Sequence, residues 1–294
     1  MLDCRADPPS DARPVVQPAT YFHYGNPLQK PFDAAVVIPT TCRASLARAV
    51  NSVFAQVGVP RIHTLIGIDA VRGDDTVVEE ILDTRPALHA VTVLNLGYST
   101  SIRHGGFYGS ADGGALRTIL TYAANSRYVC YLDDDNWIGE THVAKLLSAN
   151  RGRDWAYTLR WFVDPETSEP IAVDRWESVG PDRGVFKKRF GGFVDPNCLM
   201  IDKQRCPHVP PLWSVPLQPR TPTADRTVFE ALRRSSAFGS TEEATAYYVT
   251  HTRDENHSVR LGWIKALERE QGEAALKETK PFGPEWSEAH PEFI

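Results

Sequence analysis

The chain offers no positive field, no long apolar run and no paired cysteines, and each absence removes a class of function. Its 294 residues carry 32 Lys and Arg against 37 Asp and Glu, a net charge of −5. Nothing global therefore attracts nucleic acid or an anionic membrane, and an anionic ligand must be held locally. No uninterrupted apolar stretch approaches the roughly 20 residues of a transmembrane helix. The opening residues, with Asp3, Arg5 and Asp7, lack the apolar core of a signal peptide. Membrane attachment would be peripheral, through a partner or a surface patch. The five cysteines (Cys4, Cys42, Cys130, Cys198, Cys206) form no CxxC pair, so a reduced, cytoplasmic chain is the simplest account. There is no internal repeat. The Gly-rich stretch from Gly105 to Gly114 has no Gly-Lys-Ser/Thr ending and does not follow the first strand, so neither common nucleotide fingerprint is met; a mobile loop over a ligand is the better expectation.

What is present is an alternation of strand and helix patterns. Residues 1–32 hold six prolines and read as an extended arm, with Tyr21-Phe22-His23-Tyr24 able to fold back onto the domain. Ala34 to Ile38 predicts a buried strand stopped by Pro39. Leu46, Ala49, Val50, Val53, Phe54 and Val57 form one helical face behind a Ser45 cap. A second strand runs from Ile62 to Ile68 and ends in Asp69, a helix carries Val77, Val78, Ile81 and Leu82, and Val91 to Leu94 is a third strand. Leu116, Ile119, Leu120 and Ala123 face the next helix, Tyr128 to Leu132 is a strand, and Val143, Leu146 and Leu147 mark a helix after it. This is the pattern of βαβ crossovers and a mostly parallel α/β sheet flanked by helices.

After residue 150 the pattern changes. Trp155–Val163 and Ile171–Trp176 predict a β-hairpin about the turn Asp164 to Pro170. Pro207 to Pro222 is a proline-rich loop, Thr223 to Arg234 a short helix, Ala246 to Thr250 a strand, and Trp263 to Arg269 a helix before the tail. The organisation expected is an arm (1–32), one half of a single domain (33–150), a second half (151–260), and a C-terminal helix and tail (261–294). Arm and tail are both candidate contacts for a homodimer.

The chemistry concentrates where the fourth of these strands delivers Asp133-Asp134-Asp135-Asn136. Ligands of open α/β sheets bind beyond the carboxyl ends of the strands, and carboxylates about 4 Å apart repel by roughly 4 kcal/mol at an effective dielectric of about 20. A cation belongs there, and Mg²⁺ or Mn²⁺ prefers oxygen ligands. The bland alternative is an acidic turn capping the next helix. Pro39-Thr40-Thr41 with Arg43, then Asp69, then Asp133 to Asp135 all fall at strand ends, which in a parallel sheet makes one crevice.

On these residues the sequence resembles the nucleotide-sugar-dependent glycosyltransferases of the GT-A (Rossmann-like) type, in particular inverting glycosyltransferase family 2. Val36-Val37-Ile38-Pro39-Thr40, Arg43 and the helix Ala49 to Gln56 look like that family's opening signature. Asp69 matches its uracil-contacting acid, Ala115-Leu116-Arg117 part of its Ala-Arg-Asn segment, and Leu132-Asp133-Asp134-Asp135 its DXD metal motif. The likeness covers about residues 34–150 and is weaker to about 260. It departs from the family at Ala70 and Thr118.

The resemblance implies a metal-dependent enzyme moving a sugar from a nucleoside-diphosphate sugar, with a uracil base, to an acceptor hydroxyl with inversion. The first, donor half would bind nucleotide through Pro39, Thr40, Thr41, Arg43, Asp69, Arg117, Asp133 and Asp134. The metal, Mn²⁺ or Mg²⁺, would be held by Asp135 and Asp133, with His251 at the place where several GT-A enzymes carry a histidine to the metal or diphosphate. The second, acceptor half would supply the base, Asp225 at a helix start, with Asp195 as runner-up. Two of these residues have a structural alternative: an acidic helix start for Asp225, a satisfied structural histidine for His251. Trp155, Trp161, Trp176 and Trp213 would form an acceptor side for a carbohydrate, lipid-linked or other hydroxyl acceptor, although tryptophan equally builds cores. Lys187-Lys188-Arg189 is solvated charge by default, or a contact for an anionic acceptor or lipid phosphate. The competing functions are a nucleotidyltransferase, which usually needs a glycine-rich basic loop absent after the first strand, and a catalytically silent nucleotide or sugar binder on the same fold.

Overall fold

The computed structural model describes residues 20–24, 30–70, 74, 76–110, 113–216, 224–234, 237–252, 254, 256–283 and 285–286. Most of the proline-rich arm, Ala111 and Asp112 of the Gly-rich stretch, the end of the 207–222 loop with Thr223, and the last residues of the tail lie outside them.

In chain order the elements are β1 (Thr20–Tyr24), β2 (Ala34–Thr40), α1 (Leu46–Phe54), β3 (Ile62–Ile68), α2 (Thr76–Leu82), β4 (Ala90–Asn95), α3 (Gly114–Ala123), β5 (Tyr128–Tyr131), β6 (Trp137–Ile138) and α4 (His142–Asn150). There follow β7 (Trp155–Val163), β8 (Pro170–Val173), β9 (Gly180–Pro181), α5 (Lys187–Phe190), β10 (Gly192–Phe193), β11 (Leu199–Asp202), α6 (Asp225–Arg233), β12 (Phe238–Val249) and α7 (His257–Gln271). One sheet runs β1-β4-β3-β2-β5-β11-β7-β12-β6, with β8 paired to β7.

Strands β4, β3, β2 and β5 are mutually parallel, as the βαβ pattern requires. The second half makes the sheet mixed: β11 is antiparallel to both β5 and β7, and only β12 runs parallel to β7. Both faces of the parallel part are covered. Ala34, Val36 and Ile38 pack with α1 residues Leu46, Val50 and Val53, while Ala35 and Val37 pack with Leu116 and Leu120 of α3. That two-sided burial is why β2 reads as a continuous apolar run. A third cluster holds Phe162, Trp176, Trp263 and Leu267 between the hairpin and α7.

Several expectations shift. Strand β2 continues through Pro39. Val37 O accepts from Leu132 N–H at 3.0 Å and Thr40 O from Asp69 N–H at 2.8 Å, so by alternation Pro39 faces the β5 side, beyond the last β5 pairing at Val37. Its missing N–H therefore costs no ladder bond. Ser45 precedes α1 without a side-chain cap, and because the helix ends at Phe54, Val57 is exposed. Ile119 and Ala123 are exposed on α3, whose buried residues include Ala115, Leu116, Leu120 and Thr121. Tyr21 to Tyr24 do fold back, as strand β1 antiparallel to β4. Strand β12 begins at Phe238, eight residues before its apolar part, and its polar first half carries register shifts against β7.

Burial also sets titration behaviour. His142, fully buried with Nδ1 2.9 Å from Thr245 Oγ1, has its imidazole pushed down to about 3 by desolvation. The unfolded chain then binds one more proton than the folded one below about pH 6.5, so this residue's contribution to stability is full above that pH and falls with acid by up to about 1.4 kcal/mol per pH unit. Urea melts at pH 7.5 and pH 5 should show a smaller acid loss in His142→Gln than in the wild type; equal losses would contradict this.

Candidate active site

The carboxyl ends of β2, β3 and β5 open onto a cavity of about 610 Å³, within the range of small-molecule sites. The twelve residues given nucleotide, metal or base roles from the sequence all line it: Pro39, Thr40, Thr41, Arg43, Asp69, Arg117, Asp133, Asp134, Asp135, Asp195, Asp225 and His251.

The three consecutive aspartates have different surroundings. Asp134 is 2 % exposed; its Oδ2 accepts from Thr40 Oγ1 at 2.6 Å and its Oδ1 from Arg43. Burial pushes its carboxyl up against the pull of Arg43. Thr40 Oγ1 in turn accepts from Cys42 N–H at 2.9 Å, so Asp134 ties the β2 turn to the β5 turn. Asp133 is held by Arg117 on Oδ1 and by Asn197 Nδ2 on Oδ2 at 2.9 Å, while Asn197 Oδ1 accepts the Asp133 N–H at 2.7 Å. Asp135 Oδ2 accepts from Arg43 at 2.9 Å and lies 3.2 Å from His251 Nε2. Among the described residues no side chain donates to its Oδ1. Burial raises the Asp135 carboxyl, but His251 and Arg43 outweigh it and hold it below the usual range; the same contact raises the His251 imidazole. Arg48 donates to Asp135 O at 2.9 Å and lies 4.1 Å over Trp137, fixing the backbone of this turn.

Asp69 is buried and anchors the next connection: it accepts from Thr100 N–H at 2.8 Å and from Ser99 Oγ at 3.1 Å. The end of that connection packs onto β2, since a Cβ at Gly113 (φ +71°) would lie 2.4 Å from Pro39 Cβ.

The two candidate bases separate clearly. Asp195 has both oxygens engaged, Oδ1 by Asn197 and Oδ2 by Arg160 Nη1 at 2.6 Å, and burial pushes its carboxyl up despite Arg160. Asp225, the first residue of α6, is half-buried. Its Oδ1 accepts from Arg226 N–H at 2.7 Å, and among the described residues no side chain donates to it.

The proposed tryptophan cluster is corrected. Trp155 and Trp176 are buried in two different cores, and Trp155 Nε1 donates to Leu232 O at 3.0 Å. Trp161 donates to Ala244 O at 3.1 Å between β7 and β12. Only Trp213 reaches the cavity, its ring 5.4 Å from the Arg117 guanidinium and 4.7 Å from Tyr131. Sequence reasoning gave no role to Asn197, Arg160 or Tyr248. Asn197 sits two residues after Asp195, but nothing local distinguishes it from a turn asparagine. Lys187, Lys188 and Arg189 are exposed on α5. The four cysteines among the described residues are buried and unbridged, and burial raises the thiols of Cys130, Cys198 and Cys206, so these three are not reactive thiolates.

Neither protein-family models nor curated protein sequences give a match to this chain. Solved structures do. S. aureus TarS in complex with UDP-GlcNAc matches with a TM-score of 0.54 at 13% identity, over 82% of this chain and 68% of that one. The mannosyltransferase PcManGT from Pyrobaculum calidifontis, in complex with GDP-Man and Mn²⁺, matches at 0.52 and 11% identity, over 86% and 69%. Against a longer S. aureus TarS chain the TM-score is 0.52 at 13% identity, and the match spans only 41% of that chain. At such identities the likeness is one of architecture, and the chain has the GT-A-like α/β fold of these glycosyltransferases.

Proposed function

We propose that this protein transfers a sugar from a nucleoside-diphosphate sugar, with UDP as the nucleotide, to an acceptor hydroxyl, with inversion and with the help of Mn²⁺ or Mg²⁺. The observation that carries this reading is the single cavity in which the acids after β5, the β2 turn, Asp69 and Asp225 meet. Residues 33–150 form its donor half and 151–260 its acceptor and catalytic half; the UDP-GlcNAc and GDP-Man bound by the similar structures agree with a donor site of this kind.

A divalent cation fits the residues present. Six aspartates and two arginines line the cavity, an excess of negative charge that would repel a diphosphate. Asp135 has an oxygen open to a ligand, with His251 beside it. Among the described residues no three His, Cys, Asp or Glu side chains form a ready-made metal site; Mg²⁺ commonly takes one or two protein carboxylates and completes its shell with water and substrate phosphates. Asp135 and His251, with Asp133, would hold the ion, which when bound stabilises negative charge on the departing diphosphate as a Lewis acid.

The chain's own groups do the rest. Asn197 and Arg117 fix Asp133, and Thr40 with Arg43 fix Asp134, so the acids keep their geometry when a ligand arrives. Asp69 holds the Ser99–Thr100 turn beside the nucleotide base. Asp225 removes the proton from the acceptor hydroxyl. The acceptor itself is a carbohydrate, lipid-linked or other hydroxyl compound.

Melting the protein with UDP, GDP, CDP and dTDP, each with and without Mn²⁺, tests the donor reading. UDP with Mn²⁺ should stabilise it by about 2.7 kcal/mol at 100 times its dissociation constant, and Asp135→Ala should abolish that gain. No shift with any diphosphate would overturn the donor site. Release of free nucleoside diphosphate in the presence of Mn²⁺ and an acceptor separates a transferase from a silent binder.

A further inference from the structure

Arg43 stands where the chemistry of the acids calls for a cation. Its guanidinium forks across two consecutive carboxylates, Nη2 on Asp134 Oδ1 and Nη1 on Asp135 Oδ2 at 2.9 Å. His251 Nε2 lies 3.2 Å from the same Asp135 oxygen. The carboxylate best placed to take a metal is therefore already answered by a positive charge of the chain itself.

The members of that fork differ in freedom. Asp134 is 2 % exposed and is also held by Thr40 Oγ1 at 2.6 Å. The backbone of Asp135 is tied by Arg48, which donates to its carbonyl oxygen at 2.9 Å. Arg43 is the movable member: its side chain is 50 % exposed, and among the described residues its guanidinium has no hydrogen-bond partner beyond these two aspartates. The other arginine of the cavity has no such freedom, because Arg117 is 8 % exposed on Asp133 and packs beside Trp213.

A guanidinium in this place acts in two opposite ways. Against a bare divalent cation it is a competitor, since it holds one oxygen of Asp135 and sets like charge beside the other. Toward a diphosphate it is a partner, because a planar fork of donors matches phosphate oxygens. Nη1 can leave Asp135 for a phosphate while Nη2 stays on Asp134. The move takes a turn of one half-exposed side chain and no change of backbone.

We propose that Arg43 is a stand-in cation: it keeps Asp135 closed to Mn²⁺ or Mg²⁺ until a nucleoside diphosphate draws Nη1 away, so that metal and diphosphate bind together and the metal alone binds weakly. The inference rests on the reading of Asp135 as a metal ligand and adds a consequence that reading does not require, namely that removing Arg43 strengthens the binding of the bare ion. An arginine that only tied the β2 turn to the β5 turn would, once removed, weaken metal binding or leave it unchanged. Because coupling between two ligands is reciprocal, Mn²⁺ must strengthen UDP binding by the same factor.

The test is Mn²⁺ binding to the full chain, followed by loss of the free-ion electron paramagnetic resonance signal, with and without UDP. The wild type should bind Mn²⁺ weakly alone and more tightly with UDP. Arg43→Gln should bind Mn²⁺ alone roughly tenfold more tightly than the wild type, within the usual range of coupling between sites, and should gain less from UDP. Arg43→Lys keeps the charge and should bind the bare ion as weakly as the wild type. Arg43→Gln combined with Asp134→Asn leaves no unpaired buried carboxylate and should still bind the bare ion more tightly, which covers a failure of the single variant to fold. UDP-dependent Mn²⁺ binding by the wild type with no tightening in either Arg43→Gln variant overturns the proposal and leaves the donor site standing. Absence of Mn²⁺ binding in every one of these proteins, with or without UDP, overturns both.

Discussion

Asp225→Asn is expected to lower turnover by about 10²- to 10⁴-fold, the usual contribution of a positioned general base, while the Mn²⁺-dependent UDP shift stays as in the wild type. The substitution is nearly isosteric and removes the one property a base needs, an ionised lone pair. Asp225 is suited to that role because, among the described residues, its carboxylate accepts only from the neighbouring Arg226 N–H, leaving the other oxygen for an acceptor hydroxyl. Asp195 is not, since Asn197 and Arg160 occupy both of its oxygens. Asn is also tolerated at a helix start, so the fold should lose less than about 1 kcal/mol. Steady-state rates of nucleoside diphosphate release decide the matter, and near-normal turnover would eliminate Asp225 as the base.

Arg160→Met should have the largest effect on stability, a loss of about 3–5 kcal/mol, seen as a fall in melting temperature on the order of 10 °C. Arg160 is 1 % exposed and spends its guanidinium on three carboxylates: Nε to Asp174 at 2.8 Å, Nη2 to Glu177 at 2.8 Å and Nη1 to Asp195 at 2.6 Å. Its plane lies 4.0 Å from the Tyr248 ring centroid. Methionine fills much of the volume but strands three buried carboxylates, of which Glu177 keeps Arg260 at 2.8 Å. Lysine should rescue little, because a single ammonium cannot reproduce a planar fork aimed at three acceptors. Adding Asp195→Asn to Arg160→Met should recover part of the loss, since it removes one of the stranded charges. If Arg160→Met alone melted within a degree or two of the wild type, the network would be dispensable to the fold.

That network joins the hairpin and α7 to the cavity. Arg260 of α7 holds Glu177, Glu177 holds Arg160, Arg160 holds Asp195, and Asn197 links Asp195 to Asp133. None of these partners could be paired from the sequence. Arg160 looks there like an ordinary polar position of a strand, and its three carboxylates are scattered over the loops that follow. The tryptophans misled for a related reason: a large aromatic marks a contact, but only the packing says whether the contact is a core, as for Trp155 and Trp176, or a cavity wall, as for Trp213.

By itself the sequence determined the parallel half of the sheet and the edge on which its chemistry lies. Burial on both faces writes a continuous apolar run into β2 and β5 and a mostly apolar one, broken by His63, Thr64 and Thr92, into β3 and β4, and the chain direction then puts Thr40, Asp69 and Asp133 at the same ends of parallel strands. These signals are local, carried by residues within one element. Tertiary structure alone decided which aspartate faces the cavity with an open oxygen and which is consumed by Thr40 and Arg43. It also decided which of the two candidate bases is free, and that the polar segment before Ala246 completes β12. In each case the deciding partner lies tens of residues away in the chain, where hydrophobic periodicity records that a side chain is buried but not what it is buried against.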